Sequence, residues 1–189
     1  MKEHVTLPNI LTSGNLTAGF LAILLVFQGA FPLAAALIAL AVVFDLFDGA
    51  MARRIGADGM FGTNLDSLAD LVSFGAAPAL ALYISSLYAL PVVGLVSSLL
   101  FFLCGAWRLA RFSLCKNPLY FLGCPIPTAG VLVALLAALG PHPLLALLAT
   151  LLFSFLMVGT LPFPTLSGWR NFKELCEVIG QERRKRADA

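Results

Sequence analysis

The chain has 189 residues, 60% of them hydrophobic and only 12% charged, with a net charge of +2. Ordinary globular domains are about a quarter charged, so this composition excludes a conventional soluble core and points to an all-α integral membrane protein. No basic stripe with interleaved aromatics is present, which argues against nucleic acid as a partner. The four cysteines form no CxxC pair, and neither HExxH nor G-x-S-x-G occurs, leaving little support for zinc or serine-hydrolase chemistry.

In chain order, residues 1–10 read as a short interfacial segment, followed by a membrane domain over 11–167 and a polar basic tail over 168–189. The first apolar span runs from Leu11 to Phe27 and ends in a turn at Gln28–Pro32, with Gly and Pro as breakers. A second runs from Leu33 to Arg53, and a Gly-rich connection over 56–63 leads to a third, from Asn64 into Leu87. The fourth extends from Val92 to Phe112, and Lys116–Gly123 reads as a loop. The fifth, Thr128–Leu139, is short against the ~20 residues of a spanning helix, and Leu144–Leu161 is the sixth. No cleavable signal peptide stands out.

Six spans put both termini on one side, and all twelve Lys and Arg then fall on that side, while the opposite turns carry none. The positive-inside rule makes the charged side cytoplasmic, which places the protein in the cell membrane as a multi-pass chain. Arg54 reads as a plain topology anchor. The Arg183-Arg184-Lys185-Arg186 cluster reads as a solvated tail near anionic headgroups, and Trp169 as an interfacial anchor.

The chemistry concentrates between Asp45 and Asp70, a stretch that holds five of the ten acidic residues, four at the edge of apolar helices and Asp58 a solvated loop residue. Carboxylates bordering hydrocarbon mark sites. At about 100° per residue, Asp45 and Asp48 share one helix face with Gly49 and Ala52, flanked by Arg53. On the next helix Asp66 stacks over Asp70, with Gly62 one turn before. The short connection packs these helices antiparallel, so the two pairs face each other. Four carboxylates in one place repel unless cations neutralise them, and oxygen-only ligands suit Mg²⁺ or Mn²⁺. Such an ion bridges the oxygens of a diphosphate. Gly49, Ala52 and Gly62 let bulky groups approach the backbone, and Arg53 supplies a planar fork for phosphate. Small residues on membrane helices also serve packing alone. Four carboxylates at helical spacing argue against a purely structural reading.

The pattern Asp45-x2-Asp48-Gly49-x2-Ala52-Arg53-x8-Gly62-x3-Asp66-x3-Asp70 resembles, at all eight positions over twenty-six residues, the defining motif of the CDP-alcohol phosphatidyltransferases. The resemblance implies a six-transmembrane-helix bundle, usually a homodimer, that displaces CMP from a CDP-linked lipid with a second alcohol. By position, it implies that Asp45, Asp48 and Asp66 hold metal and, through it, the diphosphate. Asp70 would complete the metal site and act as general base. Gly49, Ala52, Arg53 and Gly62 would line the cytidine and phosphate pocket.

Further stretches resemble the bacterial and archaeal members that use serine: Leu7-Pro8-Asn9-Ile10-Leu11-Thr12 with Asn15-Leu16 and Gly19, residues 65–78, Arg108-Leu109-Ala110-Arg111-Phe112, and Gly123-Cys124-Pro125-Ile126-Pro127. They cover much of residues 7–130, and the resemblance fades after about residue 140. Arg108 and Arg111 share a face at the cytoplasmic end of a span and suit a serine carboxylate or a lipid diphosphate, although Arg111 also fits simple anchoring. The resemblance implies CDP-diacylglycerol, or its ether-lipid equivalent, and L-serine as substrates. Glycerol 3-phosphate or an inositol phosphate is the alternative acceptor and would want a denser basic pocket. A divalent-cation transporter would place polar groups near the midplane with access from both sides, and the uncharged far side argues against it.

Overall fold

The computed structural model describes residues 7–55, 60–114, 120–122, 124–159 and 162–164. The interfacial residues 1–6, Asp58, the side chains of Arg53 and Arg54, and the basic tail lie outside the described residues.

The described chain is helical apart from one short ribbon. α1 (Leu7–Phe27) and α2 (Phe31–Ile55) form an antiparallel hairpin. Its turn needs Gly29 at φ 76°, a left-handed conformation that glycine adopts without strain. α1 begins at Leu7, four residues earlier than the expected Leu11. Pro8 is tolerated in a first turn, whose N–H groups have no intrahelical partner, and the Thr12 and Ser13 hydroxyls donate back to the Pro8 and Asn9 carbonyls at 3.0 and 2.8 Å.

α3 (Met60–Asp70) passes into a π-helical segment, Leu71–Ala76, and then into α4 (Ala77–Ser85). The π segment has a local cause. Pro78 cannot donate to the Phe74 carbonyl four residues back, and its ring would collide with that carbonyl in a regular α-helix. The Ala77 N–H bonds instead to Val72 O, five residues back, which widens the turn.

A 3₁₀ turn (Leu87–Ala89) leads to α5 (Pro91–Leu114), α6 (Ile126–Ala138) and α7 (Pro143–Val158). Within the stretch expected as a loop, β1 (Tyr120–Leu122) pairs antiparallel with β2 (Pro162–Pro164). Four helices are long and apolar enough to cross a membrane: Leu7–Phe27, Phe31–Ala52, the continuous Met60–Ser85 and Pro91–Arg111. The expected fifth and sixth spans are shorter, at 13 and 16 residues, because prolines open both helices and glycines close them, Gly140 at φ 58° and Gly159 at the end of α7. The described chain is thus an all-α membrane protein with four full-length apolar helices rather than six.

Helix contacts are made by small residues. Ala18 and Ala22 of α1 and Ala34, Ala35 and Ala41 of α2 are buried in one cluster with Phe74, Phe101, Ile126 and Met157. Large apolar side chains such as Phe20, Phe27, Leu33, Trp107 and Phe155 point outward, as expected against lipid. Two glycines permit close approaches between elements distant in sequence. A Cβ on Gly19 would lie 2.7 Å from Ser73 Cα, and one on Gly130 would lie 2.5 Å from the Phe74 carbonyl oxygen. Gly19→Ala and Gly130→Ala are each expected to destabilise the bundle by roughly 1–3 kcal/mol. The check is a lowered melting temperature in detergent, set against Gly14→Ala, whose Cβ would meet only the Phe44 ring, at 3.4 Å.

Candidate active site

Helical spacing brings the carboxylates together. Asp45 and Asp48 sit in the C-terminal half of α2, and Asp66 and Asp70 sit on α3, whose N-terminal end packs beside α1. Oxygens of Asp45, Asp48 and Asp66 lie within 4.8 Å of one another. Asp70 stands outside that trio but within electrostatic reach of all three. It is 7% exposed, and Asp48 is 3% exposed.

Two of the four are anchored by α1. Thr12 Oγ1 donates to Asp48 Oδ2 at 2.8 Å, and Asn15 Nδ2 donates to Asp70 Oδ1 at 3.1 Å. Ser73 Oγ donates to the Asn15 carbonyl at 3.0 Å, tying α1 to the π segment just beyond Asp70. Gly62 also faces α1, where a Cβ would lie 3.0 Å from Asn9 Oδ1. Gly49 and Ala52 are partly buried on α2.

Among the described residues, Arg108 is the cation that faces this cluster. It is buried, at 9% exposure, and lies within electrostatic reach of Asp70 and Asp45. Arg111, one turn further along α5, instead donates from Nη1 to Val158 O at 3.3 Å. Trp107, Arg108, Ala110, Arg111 and Val158 line a cleft of about 260 Å³ between the ends of α5 and α7.

The donor set fits a hard divalent cation. Three carboxylates offer only oxygen ligands at mutual distances one ion can span, and without a cation they repel across a partly desolvated space. The structure brings Asp45, Asp48 and Asp66 together, sets Asp70 and Arg108 within electrostatic reach of them, turns Gly62 toward α1 and gives Arg111 the Val158 carbonyl as a partner. Thr12, Asn15 and Ser73 were assigned no role from the sequence. The signal available there was two polar side chains three apart on the same face of an apolar helix as Gly19 and Ala22.

A helical membrane protein with a carboxylate-built cation site toward one end of its bundle is the class that fold and geometry define. The chain belongs to the CDP-alcohol phosphatidyltransferase family, whose profile matches residues 5–164. A CDP-diacylglycerol–serine O-phosphatidyltransferase of Bacillus subtilis (strain 168) is 37% identical over 159 residues, 84% of this chain and 89% of that relative. An archaetidylserine synthase of Methanothermobacter thermautotrophicus is 36% identical over 173 residues, 88% of this chain and 72% of the relative. A CDP-diacylglycerol–serine O-phosphatidyltransferase of Methanocaldococcus jannaschii is 37% identical over 164 residues, 87% and 76% of the two chains.

Removing one ligand charge tests the cation site. Asp45→Asn should weaken Mn²⁺ binding at least about tenfold, a loss of ~1.4 kcal/mol. The measurement is a titration followed by electron paramagnetic resonance on the purified protein. Unchanged affinity would remove Asp45 from the ligand set.

Proposed function

We propose that this protein transfers the phosphatidyl group of CDP-diacylglycerol, or of an ether-linked equivalent, to the hydroxyl of L-serine, giving phosphatidylserine or its ether analogue and CMP. The observation that carries this reading is the joining of the Asp45–Asp48–Asp66 trio to a buried Asp70 and a buried Arg108 in one electrostatic cluster. The serine acceptor is supported by the names of the three relatives.

Asp45, Asp48 and Asp66 would hold Mg²⁺ or Mn²⁺, with Asp70 beside them. When bound, the ion supplies positive charge against the diphosphate and the departing CMP. Gly49, Ala52 and Gly62 leave room along the backbone for cytidine and phosphates, and Arg53 offers its fork to a phosphate.

Asp70, held at Oδ1 by Asn15, takes the proton of the serine hydroxyl on its other oxygen. The hydroxyl oxygen bonds to the β-phosphorus of the CDP-lipid. The bond from that phosphorus to the bridging oxygen breaks, and its electron pair leaves with CMP. Arg108 directs the serine carboxylate through a charge-assisted hydrogen bond. Arg111 closes α5 against α7 through Val158 and shapes the cleft beside it.

The same reading includes a homodimer and six membrane crossings, with α6 and α7 returning the chain to its starting side. Both termini and the aspartates then face the cytoplasm, supported by the segregation of all twelve Lys and Arg. The acyl chains stay between helices in the bilayer while the diphosphate sits at headgroup depth.

Release of CMP from CDP-diacylglycerol is expected with serine and not with glycerol 3-phosphate or inositol phosphate, each offered separately with Mg²⁺ or Mn²⁺. Release only with a phosphorylated acceptor would overturn the serine assignment. Asp70→Asn should lower kcat by ~10²–10⁴, the usual contribution of a general base, while binding of the CDP-lipid persists. Arg108→Gln should raise KM for serine about 10- to 100-fold, consistent with ~1.5–3 kcal/mol for a hydrogen bond to a charged group. Steady-state kinetics with each substrate varied in turn would check both, and an unchanged kcat in Asp70→Asn would rule out its role as base.

A further inference from the structure

α1 carries none of the eight motif positions, yet its buried face supplies hydrogen-bond donors to two of the four carboxylates. Thr12 (3% exposed) reaches Asp48 on α2, and Asn15 (0% exposed) reaches Asp70 on α3. Their helix is held at a fixed distance by Ser73, whose hydroxyl donates to the Asn15 carbonyl, and by Gly19, which lets the Ser73 backbone come close.

Packing alone does not account for these side chains. Asn15 Oδ1 is buried and has no hydrogen-bond partner among the described residues. An orphaned buried polar atom costs about 1–3 kcal/mol, and a leucine of similar size would avoid it. The orphaned oxygen is therefore a local cost that accompanies the Nδ2 donor to Asp70. An acceptor-only carboxylate opposite it requires the NH₂ side to face Asp70, which turns the unsatisfied oxygen away. Thr12 has one hydroxyl proton and two acceptors, Pro8 O at 3.0 Å and Asp48 Oδ2 at 2.8 Å. The bond to its own helix is available to any helical threonine, whereas the carboxylate forms the stronger, charge-assisted one.

We propose that Thr12 and Asn15 are positioning residues for the reaction. Thr12 fixes the carboxyl plane of Asp48 for cation binding, and Asn15 fixes that of Asp70 for proton transfer. The terminal torsion of an aspartate is broad, and like-charged neighbours turn such groups away from one another. A single donor on one oxygen of each holds its plane and leaves the other oxygen for the cation or the acceptor hydroxyl. This inference rests on the roles given above to the aspartates.

The test uses the full chain in detergent with Thr12→Val, Thr12→Ser and Asn15→Leu. Mn²⁺ alone is titrated by electron paramagnetic resonance, and CMP release is measured separately. Thr12→Val should bind Mn²⁺ about 10- to 100-fold more weakly, the usual effect of losing a supporting hydrogen bond, and Thr12→Ser should restore binding to within about twofold. Asn15→Leu should keep its KM for CDP-diacylglycerol within about twofold while kcat per folded protein falls about 10- to 100-fold. Wild-type Mn²⁺ affinity in Thr12→Val together with wild-type kcat in Asn15→Leu would overturn the proposal. So would losses in both that merely track the fraction of folded protein. If Asn15→Leu does not fold, the Thr12→Val and Thr12→Ser pair decides by Mn²⁺ binding alone. A wild-type protein inactive with serine would overturn the substrate assignment while leaving the Mn²⁺ comparison intact.

Discussion

Mutual repulsion among four carboxylates is the constraint on which the rest of this structure depends. Asp45, Asp48, Asp66 and Asp70 are drawn into one partly desolvated space, an arrangement that opposes folding unless something compensates. The compensation comes from several directions. Arg108 brings a buried positive charge from α5, α1 brings donors, and the oxygen-only trio fits a divalent cation. The small residues along α1, α2 and α6 belong to the same solution. Close approach of the helices brings side chains from three separate elements within hydrogen-bonding distance at one end of the bundle.

The site is also a compromise between two solvents. The helices that carry it expose Phe20, Leu33 and Leu68 outward, so their outer surfaces suit lipid. Thr12 and Asn15 of α1 point inward with Asp48 and Asp70, and side-chain hydrogen bonds join them in pairs. Charged chemistry can then operate beside acyl chains, because the polar atoms form a small closed group near the helix ends.

Much of this was legible in the sequence, for physical reasons that differ by residue. Asp45, Asp48, Asp66 and Asp70 could be grouped because helical periodicity converts spacing into a shared face. Arg108 and Arg111 could not be told apart, since two arginines three residues apart look alike until a neighbour is known; α7, contributing Val158, separates them. Thr12 and Asn15 were unreadable as functional residues for the same reason, because their partners lie 36 and 55 residues away. α1 begins at Leu7, within the stretch that reads as interfacial, because Pro8 is harmless in a first turn. The lengths of α6 and α7 depend on where proline and glycine actually stop each helix, which composition alone does not show.

The π segment after Asp70 has a consequence for how this helix can change. A π turn holds one more residue than an α turn, so it shifts the angular phase of everything that follows. Upstream of it, Asp66 and Asp70 look toward the aspartates of α2. Downstream, Ala77, Ala81 and Leu82 are buried among the other helices. Converting Leu71–Ala76 to a regular α-helix at unchanged length would rotate α4 by about 100° relative to α3. Either the catalytic face or the packing face would then be misdirected. The segment thus acts as a register spacer between two requirements that a uniform helix cannot meet together.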